Sequence, residues 1–264
     1  MDDGDFIPIV REAVPTPTRA PGGRTNAYVI GHRPALLVDP GAQTPELDEL
    51  VQTRGVEHLL VTHTHPDHVG GVSHYSDSVT VWGHKDHTDR FREATGVTAD
   101  DHFADGTRID LGKSAVRVMA TTGHAPDHVA LVVGEDGPVC CGDCAVLGAS
   151  VVVGGPGADM AAYVRSLQRL HSLDPPRLYP GHGPAIDDPR AELDRLVRHR
   201  ARREWKILCA VENGARTLEE ILDEAYEKDL TGVADLARAT IVAHLEKLDA
   251  EGHLGWDGER ARPN

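Results

Sequence analysis

The sequence lacks an uninterrupted apolar run near the roughly 20 residues that a membrane-spanning helix requires, although 40% of its 264 residues are hydrophobic. An export leader has a basic segment followed by an apolar run, and the opening MDDGDFIPIV does not show this pattern. A chain of this length and hydrophobic content can bury a full core. We therefore expect a folded cytoplasmic protein that does not contact a membrane.

Cysteine and positive charge are also scarce. The four cysteines are at positions 140, 141, 144 and 209. A chain of this size does not need disulfide bonds to be stable, so we expect reduced thiols. Lysine and arginine total 27 against 42 acidic residues, a formal net charge of −15. Such a surface repels phosphate backbones, so general nucleic-acid affinity is not expected. The basic segment at 195–206, RLVRHRARREWK, is interpreted as a solvated helix face that contacts acidic neighbours.

Strand-like and helix-like segments alternate through the first two thirds of the chain, which predicts a layered α/β sandwich. From residue 189 the pattern is helical: three helices are predicted, the second with the capping-box pair Thr217 and Glu220, and a tail hairpin follows. This is the order of a winged-helix domain. The predicted domains are therefore 1–188 and 189–264. The predicted elements of the first domain are a hairpin at 26–39, helices at 45–54 and 159–173, and strands at 58–62, 115–120, 129–133 and 138–141.

The strongest functional signal is HTHPDH at 63–68, which places three imidazoles and one carboxylate after a predicted strand. Neutral imidazole and carboxylate are natural ligands of zinc and similar divalent ions. On an extended stretch His63 and His65 project to the same side, so both can reach one ion. After the turn at Pro66, Asp67 and His68 are presented differently and can reach a second ion.

Three more segments extend this pattern. His124 ends the segment TGH after one predicted strand, Asp143 follows Gly142 after another, and His182 lies within YPGHG at 179–183. Glycines beside a ligand let the backbone turn tightly and approach an ion. Because open α/β sheets place their chemistry in loops beyond strand ends, these segments meet if the strands are neighbours.

Together these motifs resemble those of the metallo-β-lactamase superfamily, and the resemblance implies its αββα sandwich and two bound metal ions. Zinc is the expected metal, and iron or manganese are alternatives that the same ligands accept. The implied ligands are His63, His65 and His124 for one ion and Asp67, His68 and His182 for the other, with Asp143 bridging the two.

Two residues are expected to support the ligands. LVDPG at 37–41 resembles the first motif of the superfamily, which implies that Asp39 supports the metal loop. His128 could hydrogen-bond a ligand side chain, and an ordinary core or surface histidine is an equal alternative.

Two adjacent ions imply hydrolysis. A water between zinc ions ionises near pH 7, so a metal-bridging hydroxide can attack the substrate while the second ion polarises its oxygen. Asp67 is placed to orient that nucleophile or to accept its proton. The chain is therefore predicted to be an enzyme that needs no nucleophilic serine or cysteine.

The substrate is left open by the sequence. GHAPDHVAL at 123–131, CGD at 141–143, YPGHGP at 179–184 and the helical tail resemble the branch that includes mitochondrial β-lactamase-like endoribonucleases. The hypotheses are a hydrolase of a small thioester, ester or lactam, an endoribonuclease acting on short single-stranded RNA, and a ligand-sensing winged-helix regulator. The resemblance to this branch favours RNA as the substrate, whereas the negative net charge disfavours it.

DNA binding is not expected of the predicted third helix, because a DNA-reading helix must be basic. Between residues 233 and 251 Arg238 and Lys247 stand against four acidic residues, a net charge of −2. The winged helix is instead interpreted as a lid beside the metal site or as a homodimer surface. The four acidic residues are Asp235, Glu246, Asp249 and Glu251.

Overall fold

A computed structural model of the protein describes residues 7–20, 22–227 and 229–264. Residues 1–6, which are part of the opening used for the leader prediction, lie outside this described part. None of the described helices is long and apolar enough to cross a membrane.

The first sheet contains six strands, which lie side by side in their order along the chain. The first three are antiparallel neighbours, and each of the last three pairs in parallel with the strand before it. Helices connect the parallel strands, as crossovers between parallel neighbours require. The strands are β1 (Ile9–Pro15), β2 (Arg24–Gly31), β3 (Ala35–Val38), β4 (Val56–Leu60), β5 (Thr80–His84) and β6 (Asp101–Phe103).

The helix between β3 and β4, α1 (Pro45–Arg54), has the bounds that the sequence predicts. Thr44 caps it by accepting a hydrogen bond from the Leu47 N–H at 3.2 Å, which satisfies one of the free donors of the first turn. Gly55 ends it in a left-handed conformation that favours glycine. The remaining helices of this half are α2 (Pro66–Val69), α3 (Val72–Tyr75) and α4 (Thr88–Thr95).

The second sheet contains five strands in the order β7, β8, β9, β10, β11, where β7 is Arg108–Asp110 and β11 is Leu178–Pro180. Its neighbours are antiparallel except β10 and β11, which are parallel and joined by the helix α5 (Met160–Leu173). The middle strands are β8 (Ala115–Ala120), β9 (Val129–Val133) and β10 (Val139–Gly142).

Both sheets bury both faces. In β2, Tyr28 and Ile30 enter the core between the two sheets while Val29 packs against the helices, because successive strand side chains alternate. In the second sheet Leu131 faces the first sheet and Val132 packs on the opposite side, in the core that contains α5. The layers therefore run helices, sheet, sheet, helices, which is the predicted αββα arrangement.

The last third forms three helices and a two-stranded antiparallel hairpin. The predicted capping box is present at Thr217 and Glu220. The first helix, α6, contributes Leu193 and Leu196 to the core on α5, whereas its Ile207 belongs to a separate core of residues 207–261. These elements are α6 (Pro189–Glu212), α7 (Leu218–Ala225), α8 (Ala234–Ala250), β12 (Leu254–Trp256) and β13 (Ala261–Pro263).

The basic segment of α6 is only partly the solvated face that was predicted. Arg195, Arg198 and Lys206 each form a salt bridge with a glutamate or aspartate. Arg200 departs from the prediction, since it is 3% exposed and packs over the Tyr163 ring. The helix uses this cation to pack against its neighbours.

Two further sequence predictions concern the strand before HTHPDH and the cysteines. The predicted strand 58–62 is displaced by two residues, because β4 begins at Val56 and ends at Leu60, and residues 61–65 are irregular. The expectation of reduced thiols agrees with the structure, in which all four cysteines are free. Cys140 and Cys141 face the cores on opposite sides of the second sheet.

Candidate metal centre

The seven side chains predicted as metal ligands come together from the loops that follow β4, β8, β10 and β11 and from the short helix α2, which carries Asp67 and His68. They form three groups of three, and within each group the ligand atoms lie within 4.8 Å of one another. The groups are His63, His65 and His124; His63, His68 and Asp143; and Asp67, His68 and His182.

The first group is the most tightly convergent. The Nδ1 atom of His65 lies 2.9 Å from Nε2 of His63 and 2.9 Å from Nε2 of His124. Strand alternation does not explain why the His63 and His65 imidazoles lie close together, since both residues lie beyond the end of β4. Their positions follow from the loop that carries them.

Two buried aspartates fix that loop. Asp39 accepts hydrogen bonds from the N–H and the hydroxyl of Thr62 at 2.6 and 2.7 Å. Asp127 accepts the equivalent pair from Thr64 at 3.0 and 2.7 Å. Hydrogen bonds to ionised groups are short and strong, so the backbone on both sides of His63 is held firmly.

Asp143 lies between the first and the last group. Its Oδ2 atom is 3.5 Å from Nε2 of His124, and its Oδ1 atom is 3.6 Å from Nε2 of both His68 and His182. On the far side, Nε2 of His182 is 3.4 Å from Oδ2 of Asp67. Asp143 therefore lies between the histidines of the two sides of the centre.

Hydrogen bonds at Nδ1 determine which imidazole nitrogens face the centre. The carbonyl oxygens of Val152 and Arg24 accept from Nδ1 of His124 and His182, each at 2.8 Å. Asp39 Oδ2 accepts from Nδ1 of His68 at 2.9 Å. In each case Nε2 is left for an ion, and such partners typically orient metal-binding histidines. Asp39 therefore supports both the loop and a predicted ligand.

The buried Nε2 atom of His68 provides a direct test of whether divalent ions fit. It has no hydrogen-bond partner, and leaving a buried polar atom unsatisfied costs about 1–3 kcal/mol. It faces Asp143, within a set of imidazole and carboxylate donors that suits zinc and similar ions. The residues therefore fit a divalent metal.

Burial lowers the pKa values of the three histidines in the first group. The pKa of His65 falls to about 4, those of His63 and His124 are also lowered, and neighbouring histidines add to the effect at His63. These imidazoles are neutral at physiological pH. The neutral ring is the form that binds a metal ion.

The carboxylates around the other two groups favour positive charge. Burial alone would raise the pKa of Asp67, but hydrogen bonding to His182 and the charge of His68 lower it to about 2. For His182, burial lowers the pKa, and the hydrogen bonds with Asp143 and Asp67 outweigh it, raising the pKa to about 10. The pKa of His68 is raised in the same way by Asp39 and Asp143 against the effect of burial. A cation is therefore stabilised between these carboxylates.

His128 supports the backbone of Asp143 and contacts no ligand side chain by hydrogen bonding. The Asp143 N–H donates to its Nε2 at 2.9 Å, so the neutral ring donates from Nδ1 to the Thr121 hydroxyl, also at 2.9 Å. Burial lowers its pKa to about 3, which keeps the ring neutral. The predicted supporting role thus acts on the main chain.

Several supporting residues were missed by sequence reasoning. Asp127 lies beside His128 in a motif that was recognised, yet its bond to Thr64 spans 63 residues. Asn26 donates to the carbonyls of Pro180 and Gly183 and fixes the loop that carries His182. Both are polar residues next to apolar strands, and this was the feature of the sequence that could have indicated a supporting role. The residues to which they bind are distant along the chain and are identified only by the fold.

The three groups face a cavity of about 360 Å³. Its walls include Thr18 and Arg19 from the loop between β1 and β2, residues 149–152, and Leu236 of α8. The C-terminal helices therefore contribute to the pocket. The predicted ligands that line it are His65, Asp67, His124, Asp143 and His182.

The chain matches a family model described as the metallo-beta-lactamase superfamily over residues 20–182. Relatives named beta-lactamase-like protein 2 homolog, from Caenorhabditis elegans and Drosophila melanogaster, are 29% and 30% identical to it. These matches cover 86% and 87% of this chain and 79% and 84% of the relatives. An atrochrysone carboxyl ACP thioesterase from Aspergillus fumigatus is 28% identical over 80% of this chain and 71% of its own length.

Solved structures show the same fold. A metallo-beta-lactamase family protein from Thermus thermophilus superposes with a TM-score of 0.79 at 24% identity, over 97% of this chain and 98% of that one. The protein TTHA1623, solved in a di-iron-bound form, is 30% identical with a TM-score of 0.53, over 68% of this chain and 96% of its own. The first likeness extends through the C-terminal helices.

Proposed function

The chain belongs to the metallo-β-lactamase superfamily of hydrolytic enzymes, and from that premise we propose that it is a dinuclear hydrolase of small acyl compounds. The proposed substrates are thioesters, esters or lactams. The observation that carries the proposal is the convergence of three histidine and aspartate groups at one cavity. The relative named as an acyl-carrier thioesterase supports thioesters within this class.

We propose two ions, and the di-iron form of TTHA1623 supports that number. The histidine-rich donor set favours zinc. When bound, such ions supply an activated water and polarise the carbonyl of the substrate. The proposed ligands are His63, His65 and His124 on one side, Asp67, His68 and His182 on the other, and Asp143 between them.

Asp67 is the proposed catalytic residue. It lines the cavity, and its pKa of about 2 keeps it ionised at neutral pH. An ionised carboxylate accepts a hydrogen bond from the attacking water and orients it toward the acyl carbon. In thioester hydrolysis that water adds its oxygen to the acyl carbon, the C–S bond breaks, and a proton goes to the leaving thiolate.

Residues 189–264 are proposed to be a winged-helix domain that serves as a wall of the pocket beside a catalytic domain of residues 1–188. Leu236 of α8 lines the cavity, which supports this role. The cations of α8 are already paired: Arg238 binds Glu219 at 2.7 and 2.8 Å, and Lys247 binds Glu204 at 2.9 Å. These pairs leave α8 poorly suited to DNA. A homodimer stays a prediction.

Single-stranded RNA is the alternative substrate, and an exposed part of α6 favours it. Trp205 is 63% exposed, and Arg202, three residues earlier on the helix, is exposed too. Aromatic rings beside cations are surfaces on which unpaired bases stack. If RNA is the substrate, Arg198→Ala with Arg202→Ala should reduce RNA cleavage strongly and leave thioester turnover intact.

One panel separates these functions. The metal-reconstituted protein is offered acyl thioesters, a chromogenic lactam and a labelled single-stranded RNA, with Asp67→Ala as the test of contaminating activity. Asp77→Ala, an exposed aspartate outside the cavity, is the matched control. Thioester, ester or lactam turnover that disappears only in Asp67→Ala supports the proposal. RNA cleavage with no acyl turnover would replace it with the ribonuclease function.

A further inference from the structure

A second cavity, of about 510 Å³, adjoins the one at the metal centre. The two share the wall residues Arg19 and Leu236 and the segment 149–152. The second cavity extends toward α6 and α8, where Arg200, Arg203 and other residues line it. We name it the arginine cavity.

The described residues that line the arginine cavity carry positive charge, whereas the chain as a whole is negatively charged. Three arginines line it, and none of its described lining residues is an aspartate or glutamate, in a chain with net charge −15. Arg19 is neutralised by Asp235, which its guanidinium contacts through two nitrogens. Across the described ranges, Arg200 and Arg203 form no salt bridge. Glu227 acts on Arg203 through its charge, but its carboxylate is itself paired with Lys206 at 2.6 Å. Within the described residues, these two buried or half-buried positive charges therefore have no salt bridge of their own.

Each of these two guanidinium groups retains unused donors. Arg200 donates to the carbonyl of Val151 and packs 5.0 Å from the Tyr163 ring, and its buried Nε has no hydrogen-bond partner. Arg203 donates to the carbonyl of Ala225. The Arg203 guanidinium also stacks on the Tyr226 ring at 3.5 Å, which leaves its edge for hydrogen bonds. An arginine has five N–H donors in a planar fork that matches carboxylate and phosphate oxygens, so the N–H groups of these two lining residues other than the enclosed Nε of Arg200 are the donors for an anion.

The wall between the two cavities is thin. His124, a proposed metal ligand, donates to the carbonyl of Val152, and Arg200 donates to the carbonyl of Val151. Consecutive Cα atoms are only about 3.8 Å apart. The metal centre and the arginine cavity therefore lie against the same short segment, and the two cavities also share Arg19 and Leu236 as lining residues.

Resting on the proposed acyl hydrolase function, we propose that the arginine cavity is a subsite for the anionic end of an elongated substrate. It binds a terminal phosphate or carboxylate while the acyl carbonyl lies at the metal centre. The phosphate would be carried on the thiol side of the substrate and the carboxylate on the acyl side. Uncharged substrates of the same length bind less well, because they leave the two guanidinium groups unpaired.

The test compares pairs of thioesters that differ only in the charge at one end. The first pair is acetyl-pantetheine and acetyl-phosphopantetheine, and the second is a glutaryl thioester of N-acetylcysteamine and the same thioester with its terminal carboxylate converted to a primary amide. We expect kcat/KM to be about tenfold higher or more for the anionic member of one pair, the scale of one charge-assisted hydrogen bond. The pair that responds identifies which end of the substrate is charged.

Variants of α6 identify the groups responsible. Arg203→Gln should bring the ratio between the anionic and neutral substrates close to one, and Arg203→Lys should restore part of it. Arg190→Gln, at an exposed arginine of the same helix that does not line the cavity, should keep the wild-type ratio. Circular dichroism and metal content establish that each variant is folded.

Binding without turnover separates this proposal from the proposed function. Non-hydrolysable thioether analogues of both pairs are titrated into the metal-loaded protein by calorimetry. If the anionic thioether has a lower Kd than its neutral partner but no thioester is hydrolysed, the anion subsite is supported and the acyl hydrolase function is rejected. Hydrolysis with equal kcat/KM and equal Kd within both pairs, in the wild type and in Arg203→Gln, would overturn the subsite and leave the function standing.

Discussion

Asp143 contacts both halves of the candidate metal centre. Its two carboxylate oxygens face different histidines, with Oδ2 near His124 and Oδ1 near His68 and His182. Burial would raise its pKa, but the charges of His68 and His182 hold it well below its usual range, so the carboxylate stays ionised. Among the described residues, His182 in contrast approaches the carboxylates of Asp67 and Asp143.

Replacing these two residues should therefore have different effects on metal content. Asp143→Ala should lower the occupancy of both sites, whereas His182→Ala should leave close to one ion per chain. Metal per chain is measured by mass spectrometry after dialysis, with the exposed Asp136→Ala as the control. Two tightly held ions in both variants would contradict the ligand assignment.

The opposite pKa shifts at the two sides of the centre predict that metal binding releases protons from one side. His182, with a pKa of about 10, holds a proton at neutral pH that an ion must displace, whereas His65, with a pKa of about 4, holds none. Affinity for the second ion should therefore rise as the pH increases from 6 toward about 10. The first ion should show little pH dependence above about pH 6.5, because the pKa values of His63, His65 and His124 are all lowered from the ordinary histidine value.

Calorimetric titration of metal into the metal-free protein, in two buffers of different ionisation enthalpy, measures the protons released by each ion. His182→Ala should reduce the release that accompanies the second ion, and the remaining release comes from His68, whose pKa is also raised. Equal release for both ions in the wild-type protein would contradict the assignment of these protonation states.

At the scale of single elements, the loop after β11 packs closely against the neighbouring ligands because Gly181 has no side chain. A Cβ atom on Gly181 would lie 2.5 Å from Oδ1 of Asp143 and 2.7 Å from Cε1 of His68. The Gly181 N–H also donates to the carbonyl of Gly142, which fixes the loop beside β10. The glycine therefore allows two ligand loops to meet.

Gly181→Ala should displace Asp143 and His68 and lower metal affinity, while leaving both sheets folded. Supporting changes around metal ligands typically cost about 10- to 100-fold in affinity. Gly96→Ala is the control, because it lies in open space in a left-handed conformation. It should lose about 1 kcal/mol of stability and keep its metal. Wild-type metal affinity in Gly181→Ala would show that the loops can separate without loss.

At the scale of the whole molecule, α6 links the sandwich to the C-terminal helices. Its 24 residues contribute to two hydrophobic cores, one with α5 and one with α7 and α8. Arg200 and Arg203 also tie α6 to the carbonyls of Val151 and Ala225. A rigid helix shared by two cores couples their stability.

Leu196→Ala in the first core and Leu245→Ala in the second should each cost about 2–5 kcal/mol. Because α6 belongs to both cores, each variant should shift one shared unfolding transition to lower temperature. Calorimetry and circular dichroism of the metal-free protein measure this, with the exposed Leu147→Ala as the control. Two separate transitions in Leu245→Ala would show that the C-terminal helices unfold independently.

The local structure of this protein was largely predictable from sequence. The bounds of α1 follow from Thr44, Pro45 and Gly55, and the capping box of α7 from Thr217 and Glu220, because caps act over a few neighbouring residues. Short apolar runs that end in polar loops predicted the strands β8 and β9 with their observed bounds. The seven candidate ligands were recognisable because imidazoles and carboxylates cluster in glycine-containing loops after strands.

Contacts between distant segments could be decided only by the tertiary structure. Asp127 holds the loop of His63 and His65 across 63 residues, and Asn26 fixes the loop of His182 across more than 150. Neither pairing leaves a local pattern, because a hydrogen bond depends on proximity in space and not along the chain. For the same reason, residues 149–152, Arg200 and Arg203 gave no sign in the sequence of a cationic cavity beside the metal centre.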